Sequence, residues 1–238
     1  AVSSRGYVNA LQQYRGALDR RNAALRDAAR PGGGGARARA GIEAWEPALA
    51  EHGAYLWQAR RAWVTTVASR YAERCAAIGE RGDVELRYRS AIEPRDSGAP
   101  EAAVGALVDA LAANRSSDLR HGVTRVGPHR DDLVMRLDHR ELRTFGSAGQ
   151  HRTAAIALRS LEAETLRNAR AAAPVFLLDD PFAELDAGRS RRVLALLGDI
   201  GLGQTILAVP RDSDIPGALT SLPRFRIAGG RMDAGATT

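Results

Sequence analysis

Lysine is missing altogether: all 34 basic residues of the 238-residue sequence are arginine. The phosphate-gripping lysine of a G-x-x-x-x-G-K-[ST] loop is therefore excluded from this chain, and no such motif occurs in it. Cysteine is nearly as scarce. Cys75 stands alone, so no internal disulfide forms, and there is no second thiol with which to build a zinc site. His52, His121, His129, His139 and His151 do not supply a metal-ligand spacing either. Long apolar runs are lacking, since the strand-like stretch Pro174 to Leu178 is far too short to span a bilayer. No charged-then-apolar leader opens the sequence, which reads as a cytoplasmic protein without membrane contact. It begins at Ala1 without an initiator methionine, directly in helical sequence, and reads as a fragment or a processed product.

What is present is a 45% hydrophobic composition, enough for a real core, and a net charge of +6 spread over both halves. Such a charge permits phosphate-backbone contacts, but interspersed charge is also the ordinary form of a solvated surface. The wealth of Ala and Gly beside arginine points to a compositional bias of the source genome.

Tyr7, Leu11, Tyr14, Leu18 and Leu25 recur at helical spacing and predict a first amphipathic helix. Pro31 to Gly41 is too rich in glycine to hold a helix and reads as a hairpin tip or flexible insert. Ile42, Trp45, Leu49, Leu56, Trp63, Val67, Tyr71, Cys75 and Ile78 continue a heptad-like stripe, so two helices return on each other as an arm. Val84 to Tyr88 alternates as a short strand, Pro94 to Pro100 reads as a loop, and Ala102 to Leu119 is helical again. The expected domains are a helical arm over 1–121 and an α/β lobe over 122–238. In the lobe, strands at Val123–Val126, Leu133–Leu137, Pro174–Leu178, Thr205–Val209 and Phe225–Ala228 alternate with helices near Gly149–Ala169 and Gly188–Leu197, implying a largely parallel sheet.

Two motifs carry chemistry. The strand ending in Leu177-Leu178-Asp179-Asp180 places two carboxylates at its C-terminal end, where α/β sheets bind ligands. In the functional reading Asp179 holds Mg²⁺ and Asp180 orients or deprotonates an attacking water. In the plainer reading both acids open a turn before Pro181 and cap the next helix. The second motif, Phe145-Gly-Ser-Ala-Gly-Gln-His-Arg152, precedes a long helix. Its small residues, the Ser147 hydroxyl and the helix N-terminus suit a γ-phosphate, or else Ser147 is an ordinary N-cap.

Taken in order, Ser147-Ala148-Gly149-Gln150 resembles the ABC signature, Leu177 to Asp180 a Walker B strand, and Ala183-Glu184-Leu185-Asp186 a D-loop. Val126 to Leu133, Gln150 to Thr153, Leu178 to Asp186, Tyr14 to Asn22 and Trp45 to Gly53 are similar to the RecF family of bacterial recombination-mediator ATPases, over nearly the whole chain. The resemblance implies the C-terminal lobe of an ABC-type ATPase head, with a P-loop NTPase-like sheet and an inserted coiled-coil-like arm. It further implies a slow, DNA-stimulated ATPase of DNA replication, repair and the SOS response that dimerises on ATP with Mg²⁺. Such a protein clamps DNA at single-strand to double-strand junctions and helps recombinase loading with RecR- and RecO-type partners. Ser147, Gly149 and Gln150 would touch the γ-phosphate held by a second subunit, with Asp186 at the dimer seam, Asp179 on Mg²⁺ and Asp180 as the base.

Departures qualify the match. Ala148 and His151 stand where the family commonly has glutamine, Asp180 replaces the usual ABC glutamate, and Pro210 stands where many ABC proteins have a switch histidine. Without a P-loop lysine the chain alone is expected to be inactive, its N-terminal lobe lying before Ala1. Arg15, Arg20, Arg21 and Arg26 form the candidate DNA-contacting face of the arm, against a solvated coiled-coil surface. The three tryptophans are expected in the core rather than against bases. Gly127-Pro-His-Arg-Asp-Asp132 carries no nameable catalytic step. Its plainer reading is a turn in which Arg130 pairs with Asp131 or Asp132. The rival functions are a non-catalytic DNA- or protein-binding module and an SMC- or Rad50-type ATPase, whose coiled coils are much longer than this arm.

Overall fold

A computed structural model describes residues 4–32, 35–92, 100–170, 172–199, 201, 203–219 and 223–234. The chain forms two compact units, Ala1–Ser69 with Glu85–Met135 and Arg70–Val84 with Arg136–Thr238. This division differs from a boundary at His121. Thr124 and Val126 are buried in the first unit, and the end of the long arm helix belongs to the second.

The first unit is built from α1 (Arg5–Ala28), α2 (Ala36–Glu43), most of α3 (Glu46–Ile78), β1 (Val84–Arg89), α4 (Pro100–His121) and the start of β2 (Asp132–Leu137). Ser4 caps α1 by accepting the Tyr7 N–H at 3.1 Å. The buried face of α1 runs Tyr7, Ala10, Tyr14, Ala17, Arg21, Leu25, at the spacing the sequence gives. Tyr7, Ala10, Tyr14 and Ala17 pack with Leu49, Leu56, Trp57, Leu107 and Leu111 from α3 and α4. The insert after Pro31 does hold a helix: α2 starts at Ala36, past the glycines, and buries Ile42. Alanine and arginine at alternate positions favour that helix once the glycines are behind. Most of the expected loop near Pro94 lies outside the described residues.

Arg21 sits in the apolar stripe of α1 with no exposed surface. Its guanidinium donates to Asp118 at 2.8 Å, to Thr124 Oγ1 at 2.7 Å and to Glu46 at 3.0 Å, joining α1 to α4, α3 and the segment beyond α4. Glu46 is gripped a second time by Arg115, at 2.5 Å. Thr124 is held further, its N–H and hydroxyl both donating to Asn22 Oδ1 at 2.8 Å. These bonds hold Val123–Val126 in the helical unit, and the strand expected there does not form.

The Gly127–Asp132 turn closes the same unit. Gly127 has φ 123°, and an added Cβ would lie 2.5 Å from the Tyr14 hydroxyl, so only glycine fits. Pro128 O accepts from Arg60 at 2.5 Å, and Asp131 accepts from the Tyr88 hydroxyl. Asp132 faces Arg89 at 3.4 Å, while Arg130 donates to Thr124 O at 3.4 Å rather than to either neighbouring carboxylate. The His129 ring lies between Tyr14 Oη at 2.7 Å and Thr124 O at 3.0 Å. A carbonyl only accepts, so Nε2 carries the proton and Nδ1 takes the tyrosine hydroxyl. Burial holds the His129 pKa below its ordinary value and pushes that of Asp131 up.

The second unit holds the end of α3, the end of β2, β3 (Arg140–Glu141), α5 (Leu142–Phe145), α6 (Ala148–Arg170), β4 (Val175–Asp179), α7 (Ala187–Asp199), β5 (Gln204–Ala208), β6 (Phe225–Ala228) and β7 (Arg231–Ala234). Asp138 and His139, at φ 49° and 64°, make the two-residue turn between β2 and β3. β4 and β5 pair in parallel through α7, with Asp179 opposite Ala208. This is the only parallel pair between the described strands of the unit; β6 and β7 form an antiparallel hairpin. Val175, Leu177 and Ile206 share one face of the parallel pair and are 55%, 69% and 49% exposed, whereas Phe176 on the other face is buried.

Two outcomes follow for the first unit, which contains all three tryptophans and is reported by their fluorescence. Arg21→Ala takes the facing guanidinium from the fully buried Asp118 and one of two from Glu46, and lowers stability by about 3–5 kcal/mol in urea denaturation; Arg115→Ala, removing a 27% exposed partner, costs about 1 kcal/mol. For pH, a depressed folded-state pKa means that the unfolded chain binds the His129 proton more readily. The contribution of His129 is complete above its ordinary pKa and is lost as pH falls below it. Asp131, whose pKa is raised, acts in the opposite sense. The denaturation midpoint therefore falls less between about pH 7.5 and about pH 5 in His129→Gln than in the unaltered chain.

Candidate nucleotide-contacting site

The site elements all lie in the second unit. Ser147 precedes α6 as its N-cap, and the turn is a reciprocal capping box. Ser147 Oγ accepts the Gln150 N–H at 3.3 Å, and Gln150 Oε1 accepts the Ser147 N–H at 2.9 Å. The cap expected of an ordinary serine is thus present. It engages the N–H of Gln150 and leaves those of Ala148 and Gly149 in the first turn, where a helix has no acceptor of its own. Ser147 is exposed and Gly149 half-buried. An added Cβ on Gly149 would lie 2.9 Å from Glu184 O, so the glycine lets the turn meet the backbone of the loop after β4.

That loop begins at the end of β4. Asp179 is exposed. Asp180 is half-buried, donates its N–H to Ala208 O at 2.8 Å and has φ 45°, a left-handed conformation that aspartate tolerates. Pro181 and Phe182 are buried beneath it, and Glu184 is again left-handed at φ 62°. The helix cap is Asp186: its Oδ1 accepts the Arg189 N–H at 2.8 Å. That N–H chiefly, with the Gly188 N–H and the Arg189 and Arg192 charges, holds the Asp186 carboxyl below the usual range. Neither Asp179 nor Asp180 caps α7, so the plainer reading of those two acids fails on this point. A cleft of about 720 Å³ opens beside them, lined by Asp180, Phe182, Glu184, Leu185, Arg191 and Asp214 among others. The exposed Asp179 and the half-buried Asp180, the latter lining the cleft, offer oxygen ligands of the kind that suits Mg²⁺.

Residues that carried no local signal complete the cluster. Glu80 accepts from Gln150 Nε2 at 3.4 Å and from Arg189 Nη1 at 3.1 Å, and Arg189 also donates to Thr153 Oγ1 at 3.1 Å. Only the fold brings Glu80, at the end of the arm helix, to a turn seventy residues on. On α1, Arg15, Arg20 and Arg26 are exposed and Arg21 is not, which removes Arg21 from the candidate DNA face. Arg20 stacks over the Trp45 ring at 4.9 Å, and Arg15 and Arg26, three helical turns apart, share a face that Arg20 does not.

No family model matches the chain. A DNA replication and repair protein RecF from Herpetosiphon aurantiacus is 34% identical over 223 residues, 93% of this chain and 55% of that protein. One of the same description from Magnetococcus marinus is 46% identical over 117 residues, 49% of this chain and 30% of that protein. Among solved structures, the recombination mediator protein RecF-ATPrS in the RecFOR pathway superposes with a TM-score of 0.79 at 27% identity, covering 99% of this chain and 60% of that one. The chain spans about half the length of the curated relatives it matches. With its mixed α/β architecture, its signature-like turn and its paired acids in the expected order, the chain belongs to the RecF family, matching the C-terminal part of its members and sharing their ABC-type ATPase fold.

Proposed function

We propose that this chain contributes parts of two ATP sites to a DNA-repair clamp. The carrying observation is the contact of Gly149 with the Glu184 carbonyl, which packs the capped signature turn against the loop joining Asp180 to Asp186. In this reading the exposed edge of the turn, Ser147 with the first-turn N–H groups of α6, meets the γ-phosphate of a nucleotide held by a second copy. Anions are favoured at a helix N-terminus by the free N–H groups and the helix dipole. Gly149 permits the close approach, and Gln150 holds the serine in place. Asp186, exposed at the start of α7, lies at the dimer seam.

Asp179 and Asp180 serve the other site. Asp179 holds Mg²⁺, which would neutralise charge on the phosphates, and Asp180 orients or deprotonates the attacking water. Its φ of 45° sets the direction in which the side chain leaves the backbone at the strand end. The phosphate-binding lysine has to come from outside this chain, which contains none. The apolar face of β4 and β5 offers a surface for a further layer of the head.

On the arm, exposed Arg15, Arg20 and Arg26 contact the DNA backbone, and the action is at gapped DNA with RecR- and RecO-type proteins aiding recombinase loading. The relatives' description as DNA replication and repair proteins and the RecFOR setting of the solved structure support this reading.

In the full gene product containing this chain, ATP is expected to drive dimerisation, seen by analytical ultracentrifugation, and DNA to stimulate hydrolysis. Asp179→Ala abolishes hydrolysis. Ser147→Arg blocks dimerisation while ATP binding to the separate subunits persists, because the serine serves the opposite site. Hydrolysis that survives Asp179→Ala overturns the Walker B assignment. DNA binding without ATP dependence favours the non-catalytic module instead.

A further inference from the structure

We infer that Glu80 is a positioning residue that locks the signature turn and the loop leading to Asp186 into one unit. The inference rests on the proposed reading of the Ser147–Gln150 turn and adds a residue to it.

Glu80 is itself held by backbone. Gly79 N–H donates to Ala76 O at 2.9 Å and Glu80 N–H to Cys75 O at 2.9 Å, the paired bonds of a Schellman cap closing α3. Gly79 takes φ 106° for this cap, and an added Cβ would lie 2.4 Å from the Arg192 guanidinium. Arg192 in turn donates to Ile78 O at 2.8 Å. The carboxylate of Glu80 therefore projects from a fixed point, and its side chain is only 8% exposed.

A carboxylate accepts and never donates. Facing Gln150, it requires the amide nitrogen, so the amide oxygen is turned to the Ser147 N–H and completes the capping box. Without that acceptor the amide is free to flip, and the reversed amide offers N–H to N–H. Facing Arg189, the same carboxylate anchors the guanidinium of the residue whose own N–H binds Asp186. Glu80 thus orients one residue on each side of the contact between Gly149 and Glu184. It touches neither nucleotide nor metal in the proposed reaction, and acts through Gln150 and Arg189.

The test uses the full gene product containing this chain, with Glu80→Gln, the conservative Glu80→Asp, and Asp179→Ala as reference. Glu80→Gln should raise the protein concentration needed for half-dimerisation with ATP by about tenfold, as expected for loss of a charge-assisted hydrogen bond. Binding of a fluorescent ATP analogue to the undimerised protein and the thermal midpoint should stay at wild-type values. Glu80→Asp keeps the carboxylate that Gln150 and Arg189 both face, at shorter reach, and should lie between Glu80→Gln and wild type in dimerisation. Three results overturn the role: wild-type dimerisation in Glu80→Gln, dimerisation in Glu80→Asp no better than in Glu80→Gln, or a loss of thermal stability and analogue binding that parallels the loss of dimerisation. Loss of hydrolysis in Asp179→Ala beside any of these leaves the site reading standing and removes Glu80 alone; retention of hydrolysis in Asp179→Ala removes the reading on which it rests.

Discussion

A guanidinium taken wholly out of water has to be met by acceptors, and Arg21 is met by three. Asp118, Glu46 and Thr124 come from three different segments, so the first unit cannot form around Arg21 unless α1, α3, α4 and the stretch beyond α4 arrive together. Desolvation of the ions offsets much of the Coulombic gain, which makes the network a weak source of net stability but a strict condition on how the helices assemble. Arginine suits this position better than lysine would. Its planar fork serves several acceptors in fixed directions, where an ammonium on a flexible stem is a single point of charge. In a chain without lysine the same device recurs: Arg189 meets Glu80 and Thr153 in the second unit, and Arg74 meets Glu164 there at 2.9 Å.

Periodicity made the helices legible. Tyr7, Tyr14 and Leu25 of the expected stripe lie on the buried face of α1, with Leu11 and Leu18 half-buried beside Ala10 and Ala17, and the strand endings expected at Leu178 and Val209 fall within a residue of those observed. Arg21 was misread for the same reason that the stripe was read well. A charged residue on an apolar face is taken for a solvated one until its partners are known, and those partners lie 25 to 103 residues away. Val123–Val126 misled in the opposite sense. Its β-branched residues favour a strand, but Asn22 takes the Thr124 N–H that a ladder would have needed.

The site shows the same division. Local sequence sufficed to place Ser147 and Gly149 at a helix start and Asp179 and Asp180 at a strand end, because such boundaries are written in neighbouring residues. It also offered capping as the plainer account of Asp179, Asp180 and the serine. That account holds for Ser147 and not for Asp179 or Asp180, because the cap of α7 is Asp186. Glu80 was illegible. Nothing in Gly-Glu-Arg-Gly distinguishes a surface turn from a clamp, and only the Schellman cap and the cross-chain bonds do.

The left-handed Asp180 is the point where structure and proposed chemistry meet most closely. A non-glycine residue at φ 45° carries a conformational cost of about 1 kcal/mol or more, which persists only where the surroundings impose it. Here the imposing contacts are identifiable. The Asp180 N–H extends the β4–β5 ladder to Ala208 O, while Pro181 and Phe182 are drawn into the interior directly after it. The chain must turn within one residue, and the side chain at that residue is left at the mouth of the cleft rather than under it. Had the acid served only to begin a turn, glycine or asparagine would have met the backbone demand at less cost. In the proposed reaction that cost sets a carboxylate there, one residue beyond Asp179 and ahead of the loop that Gly149 touches.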